Sequence, residues 1–333
     1  MKYPLTKVLF FFIVGVLTSG VFAAPVPSLN FTAPSNNVDP LLNAPFSVRL
    51  VLDNTDLADS GFFPAFHFIA PAEFTYNGSN DCESLGVSSI NVQNNPSAVA
   101  NLDAEDPFTG EIFTLLPGET FIAIKPNIGS HAPSQPNIEC TVGFDFTDDG
   151  MGSPTALAGT PYTFKNAQGM YVLGGMVNGV AGDCGTANTI CSVPATDDVT
   201  AKIFDLDKEV ASSKGSLSAN LAIGAGPSYP ETVTITGTVA GPVTLNNVTI
   251  NEVIPEVLEV VDPGDCSSFT IIPAPSSCSY TPDISSATGG SIDINYTTLS
   301  SGFTLTYTGS YKQFRDDASE IIGSSLIAVN EST

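Results

Sequence analysis

The sequence predicts an all-β chain: two Ig-like or Greek-key β-sandwich domains behind a cleaved signal peptide. Three observations carry this. Apolar residues alternate with polar ones in short runs bounded by Gly, Pro, Asn or Asp, the period-two pattern of half-buried strands. Helical periodicity is nearly absent, with one short exception at 316–326. The composition joins 42% hydrophobic residues, enough for a sizeable core, to 29 Gly and 25 Pro as turn formers, with only 13% charged residues.

The elements follow in chain order. Lys2 and Lys7 precede an apolar stretch at 8–17, and Val21-Phe22-Ala23 then offers small residues at cleavage distance. This reads as a secretory leader over 1–24, cut after Ala23 or Ala24. The run is too short for a comfortable membrane span and lacks basic residues on its far flank. Asn330, Glu331, Ser332 and Thr333 form no hydrophobic tail or sorting motif. The mature chain is therefore expected to be soluble, with no transmembrane segment, and to be exported to the cell surface or released.

Strand-like alternation appears at Phe46, Val48, Leu50 and Leu52, again at Val233, Ile235 and Val239, then at Ile292, Ile294 and Tyr296, and at Phe303, Leu305 and Tyr307. About 310 mature residues exceed one ordinary sandwich, so two domains are expected. The polar stretch Ser192-Val193-Pro194-Ala195-Thr196-Asp197-Asp198 marks the boundary: an N-terminal sandwich over 25–196 and a C-terminal Ig-like sandwich over 197–333. The first is expected to carry long insertions around 91–109 and 129–159.

Six cysteines in an exported chain read as disulfides. Six allow fifteen connectivities, and spacing suggests Cys184 with Cys191, Cys266 with Cys278, and Cys82 with Cys140. A zinc site is disfavoured, because no CxxC pair exists and His67 lies far from every Cys in sequence.

Charge excludes partners. Ten Lys and Arg face 34 Asp and Glu, a net charge of −24. Losing Lys2 and Lys7 leaves eight basic residues and a charge near −26. Nucleic acid and anionic membranes both require basic surface.

Several turns resemble those of large exported bacterial surface proteins. Asp53-Asn54, Gly61-Phe62-Phe63-Pro64 and Pro71 match an opening motif, and Gly129, Ser130, Pro133, Gln135 and Pro136 match a later turn. Asn247, Thr249, Glu252 and Pro255 are similar to the conserved-repeat domain of unknown function found in tandem on bacterial surfaces, with Glu252 in place of the usual Asp. The resemblance implies Ig-like modules and a structural or adhesin-like role, with an unknown surface protein or glycan as partner. It implies no catalytic residue and no cofactor. The relatives continue through further repeats, so this chain reads as a short member or as the N-terminal piece of a longer one.

Candidate chemistry is sparse. Asp145, Asp148 and Asp149 form the leading acidic loop for a Ca²⁺ ion, although Asp and Gly favour turns in any case. Asp53, Asp56 and Asp59 cluster similarly, as do Asp103, Glu105 and Asp106. His67 and His131 are the neutral-base candidates, and no Gly-x-Ser-x-Gly elbow accompanies them. Paired carboxylates for glycoside hydrolysis need a spatial separation that sequence does not display. Lys202, with Asn330 and Glu331, is the candidate set for an internal isopeptide bond. Trp is absent, leaving Tyr307 and Tyr311 as sugar-stacking candidates, with strand pairing the competing fate. A non-catalytic structural or adhesive surface protein is the leading reading. A secreted module binding carbohydrate or Ca²⁺ is the alternative, and a secreted hydrolase comes third.

Overall fold

A computed structural model describes residues 25–172, 184, 189–212, 229–241, 243–260, 266–282, 288–311 and 331–332. The expected leader and the helical exception at 316–326 lie outside these residues. Within them the chain is all-β. Only a single 3₁₀ turn, Glu83–Leu85, interrupts the strands.

The N-terminal part is built from β1 (Pro27–Thr32), β2 (Phe46–Asn54), β3 (Gly61–Ala70), β4 (Phe74–Asp81), β5 (Val87–Asn94), β6 (Leu102–Glu105), β7 (Ile112–Leu115), β8 (Thr120–Pro126), β9 (Ser130–His131), β10 (Ile138–Phe146), β11 (Pro161–Val172), β12 (Thr189–Cys191) and β13 (Ala195–Thr200). Two sheets face each other, one ordered β1-β2-β10-β4 and one β12-β11-β3-β8-β5, with β13 paired to β11. On β2 the inward phase buries Val48, Leu50 and Leu52, as the alternation requires. Across from it lie Phe66 and Phe68 of β3, Ile122 and Ile124 of β8, and Phe164 of β11. Phe74 and Phe164 stack at 5.6 Å between ring centres, and Phe46 meets Phe74 edge-on at 4.9 Å.

Strand β3 is buried from Pro64 to Ala70 without alternation. The reason is a third layer. The β6–β7 hairpin, from the expected insertion around 91–109, covers the outer face of the larger sheet. Ala104, Phe113 and Leu115 of the hairpin pack there with Ile69, Phe121 and Ala123.

The C-terminal part contains β14 (Phe204–Ser212), β15 (Tyr229–Val239), β16 (Leu245–Val260), β17 (Thr270–Ile272), β18 (Ser277–Thr281), β19 (Thr288–Leu299), β20 (Phe303–Tyr311) and β21 (Glu331–Ser332). One continuous sheet runs β14-β15-β20-β16-β19-β18. The long strand β16 joins its two wings. It pairs with β19 through Leu245–Ile254, the register then shifts, and Leu258–Val260 pairs with β20. Val233, Ile235, Leu305 and Tyr307 from one wing share a core with Ile250, Ile292 and Ile294 from the other.

The expected boundary at 196/197 falls inside β13. That strand pairs with β11 of the first sandwich, and Val199 and Ala201 lie in the first core. The chain enters the second sheet only at Phe204. The stretch looked like a linker because it is polar, with Asp198 exposed and Asp197 only half-buried on the side of Val199. There they are bonded: Asp197 accepts the Ala33 N–H at 2.8 Å, and Asp198 accepts the Thr163 hydroxyl at 2.6 Å.

Cys82 is joined to Cys140, Cys184 to Cys191, and Cys266 to Cys278, and no free cysteine remains. The first bridge ties the chain following β4 to β10 inside the sandwich core, where both residues are fully buried.

Candidate functional site

Both imidazoles are buried. The outward phase of β3 puts His67 beneath the hairpin, edge-on to Phe113 at 4.8 Å. Its Nδ1–H donates to Asp106 Oδ2 at 2.7 Å, and Nε2 lies 3.0 Å from Gln168 Oε1. Gln168 in turn donates to the Ser192 carbonyl at 2.8 Å. Asp106 also accepts the Phe108 N–H at 2.8 Å. His67 and Asp106 are both 0% exposed. The chain of bonds links hairpin, sheet and the segment before β13, and every side chain in it is buried.

His131 sits on β9 with Tyr171 of β11. Its Nε2–H donates to the Pro136 carbonyl at 3.0 Å, so Nδ1 is the acceptor for the Tyr171 hydroxyl at 2.6 Å. Burial holds the imidazole below its ordinary range and pushes the Tyr171 phenol up. Asn54, at the end of β2, donates to the carbonyls of Asp59 at 2.8 Å and His131 at 3.1 Å. Asn54, one of the residues matched to the surface-protein turns, therefore locks a turn. At Gly61, another of them, a Cβ would overlap the Tyr171 ring.

A third polar centre lies in the C-terminal core. Lys208 of β14 donates to both oxygens of Glu252 at 2.8 and 3.0 Å, and the Tyr307 hydroxyl donates to Glu252 Oε1 at 2.5 Å. Glu252 is fully buried. Tyr307 is thereby a core residue and presents no sugar-stacking face. Sequence reasoning passed over Lys208, yet a signal existed: Phe204, Leu206 and Lys208 share one phase of β14, placing a lysine where a core residue is due. Lys202 is not that buried lysine. It is partly exposed and paired with Asp205 at 2.7 Å, while Glu331 pairs with Val253 in a two-residue strand. Asn330 lies outside the described residues, as does the Tyr311 side chain.

The Asp145, Asp148 and Asp149 carboxylates do not converge. Asp148 accepts the N–H groups of Gly150 and Gly152 at 2.5 and 3.2 Å, and Asp149 those of Met151 and Ser153 at 2.8 and 3.1 Å. Asp145 accepts from Asn77 at 3.2 Å. Asp56 likewise accepts the N–H groups of Ala58 and Asp59, and the Asp59 bond leads in holding its carboxyl below the usual range. Among the described residues, no three His, Cys, Asp or Glu side chains gather as a metal-binding group.

Among the described residues lies an open cleft of about 560 Å³. It lies between the β1–β2 loop, the outer side of β4 and β10, and the crossing segment at Lys202 and Asp205. Polar Asp39, Asn77 and Ser79 line it together with apolar Leu41, Pro45 and Phe46. The rim is tied down by Ser35 N–H to Ser47 O at 2.7 Å, Leu42 N–H to Lys202 O at 2.8 Å, and Lys202 N–H to Pro40 O at 2.9 Å. Sequence reasoning missed it, since its residues come from four separated segments.

No model of a known protein family matches the chain. Nor does any curated protein. The resemblance to conserved-repeat surface domains thus rests on its turns alone. Among solved structures, a cohesin module of a family 33 glycoside hydrolase from Clostridium perfringens is similar at 12% identity and TM-score 0.30, covering 54% of this chain and 98% of that one. A membrane-anchored protein from Corynebacterium diphtheriae is similar at 9% identity and TM-score 0.21, covering 87% and 84%. The B domain of a biofilm-associated protein is similar at 9% identity and TM-score 0.23, covering 86% and 72%.

Proposed function

We propose that this chain is an exported, non-catalytic structural or adhesive protein of a bacterial surface. In this reading, disulfide-stapled β-sandwiches hold loops rigidly for contact, and the acid excess keeps the molecules soluble and apart. The observation that carries it is the fate of the groups able to do acid–base chemistry. Both imidazoles are buried and engaged at each ring nitrogen by internal partners, so they act as struts. Three disulfides with no free thiol support an oxidising compartment.

Fractionation of the native cell, paired with attachment of beads coated with the purified chain, tests this. The chain should appear in the surface or medium fraction, promote attachment, and show no turnover on a polysaccharide panel. Recovery in the cytoplasm, or turnover, would overturn it. A secreted ligand-binding module is the second reading, favoured by the open cleft beside the β1–β2 loop.

A further inference from the structure

We propose that the cleft beside the β1–β2 loop is a binding site for an uncharged, hydroxyl-rich carbohydrate. This rests on the adhesive or ligand-binding reading above and specifies its ligand. A pyranose offers hydroxyls at its edge and C–H groups on its face, and needs a site lined by polar and apolar groups. The cleft lining supplies both kinds of group: exposed Asp39 and Ser79, half-buried Leu41 and Phe46, and exposed Pro45. Its volume, about 560 Å³, lies within the range of small-molecule sites and suits a short oligosaccharide.

The polar lining has capacity to spare. The Ser35 and Ser47 hydroxyls satisfy each other at 2.8 Å, and Asn77 is held by Ser79 N–H and Asp145. Among the described residues the Asp39 carboxylate and the Ser79 hydroxyl make no hydrogen bond within the chain, and both side chains are exposed at the cleft. An acceptor-only carboxylate and a hydroxyl lining one cleft are groups that sugar hydroxyls can satisfy.

Charge selects the class. Asp39 and Asp205 line the cleft with a single cation, Lys202, already paired with Asp205. Phosphate, sulfate or carboxylate groups on a ligand would meet an uncompensated acid within a strongly acidic chain. The clamped rim lowers the ordering cost of binding. The floor needs Gly143, since a Cβ there would come within 2.6 Å of Asn77 Oδ1 and 2.9 Å of the Ser79 Cβ.

The test is a glycan array probed with the full chain, followed by calorimetric titration of the strongest hit into the parent, Asp39→Ala and Ser79→Gln. Both positions are exposed, so unchanged melting temperatures should accompany the variants. Hits confined to neutral glycans, weakened about tenfold or more by either substitution, are the expected result. A blank array, hits confined to acidic glycans, or equal affinity in parent and variants would overturn the proposal. Bead attachment separates this from the broader reading: a blank array with full attachment removes the cleft and leaves the adhesive role, whereas failure of the parent to attach removes that role.

Discussion

Asp106→Ala is the sharpest probe of how the third layer is held. The carboxylate is fully buried and accepts the His67 Nδ1–H at 2.7 Å and the Phe108 N–H at 2.8 Å. Truncation strands both donors away from water. Each stranded group costs about 1–3 kcal/mol, so the loss should be about 4 kcal/mol. With a urea slope of about 3 kcal/mol/M, the midpoint followed by far-ultraviolet circular dichroism should fall by about 1 M. Asp103→Ala is the internal control: it sits three residues earlier on the same hairpin, is exposed, and meets only Thr114 at 3.1 Å. It should cost no more than about 0.5 kcal/mol. The hairpin pairs only with itself, strand to strand, and beyond the strut it is secured by its apolar face and by the side chains of Gln93, bonded to the Glu105 backbone, and Asn95, bonded to the Leu115 carbonyl. Its amides over 102–115 should therefore lose hydrogen-exchange protection first in Asp106→Ala. Equal midpoints for the two variants, or a hairpin as protected as in the parent, would refute the assignment of His67–Asp106 as a strut.

Three further outcomes are expected. Replacing Cys82 and Cys140 by Ala should cost about 4 kcal/mol, against about 3 kcal/mol for the Cys266–Cys278 pair, because the closed loops span 58 and 12 residues; paired denaturation curves check the order. His131, held low by burial, binds its proton less readily folded than unfolded. Its contribution is thus full above the unfolded value of about 6.5 and lost as pH falls through the depressed folded value, and His131→Gln should flatten melting temperature against pH across that window. Gly61→Ala forces a methyl group into the buried Tyr171 ring and should lower stability by about 1–3 kcal/mol, read from thermal melts.

How much was legible differs from element to element. Val48, Leu50 and Leu52 declare their strand because period two needs only local information, and burial follows the same phase. The short disulfide loops declare themselves by spacing. The boundary at 196/197 did not, because acids on a paired strand resemble a linker until their partners Ala33 and Thr163 are known. The Asp145–Asp149 loop shows the reverse. Its carboxylates looked available in one dimension, and folding assigned them to nearby backbone N–H groups and to Asn77.

The sequence by itself determined the all-β class and the pairing of short-range cysteines, since each depends on composition or on residues a few positions apart. Tertiary structure alone decided which polar side chains are struts and which face solvent. His67 meets Gln168 across 101 residues, and Lys208 meets Glu252 across 44. The cleft likewise gathers Asp39, Ser79, Gly143 and Asp205 from four stretches of chain. Strand pairing brings such residues together through backbone hydrogen bonds that are indifferent to side-chain identity, so no local pattern records the meeting.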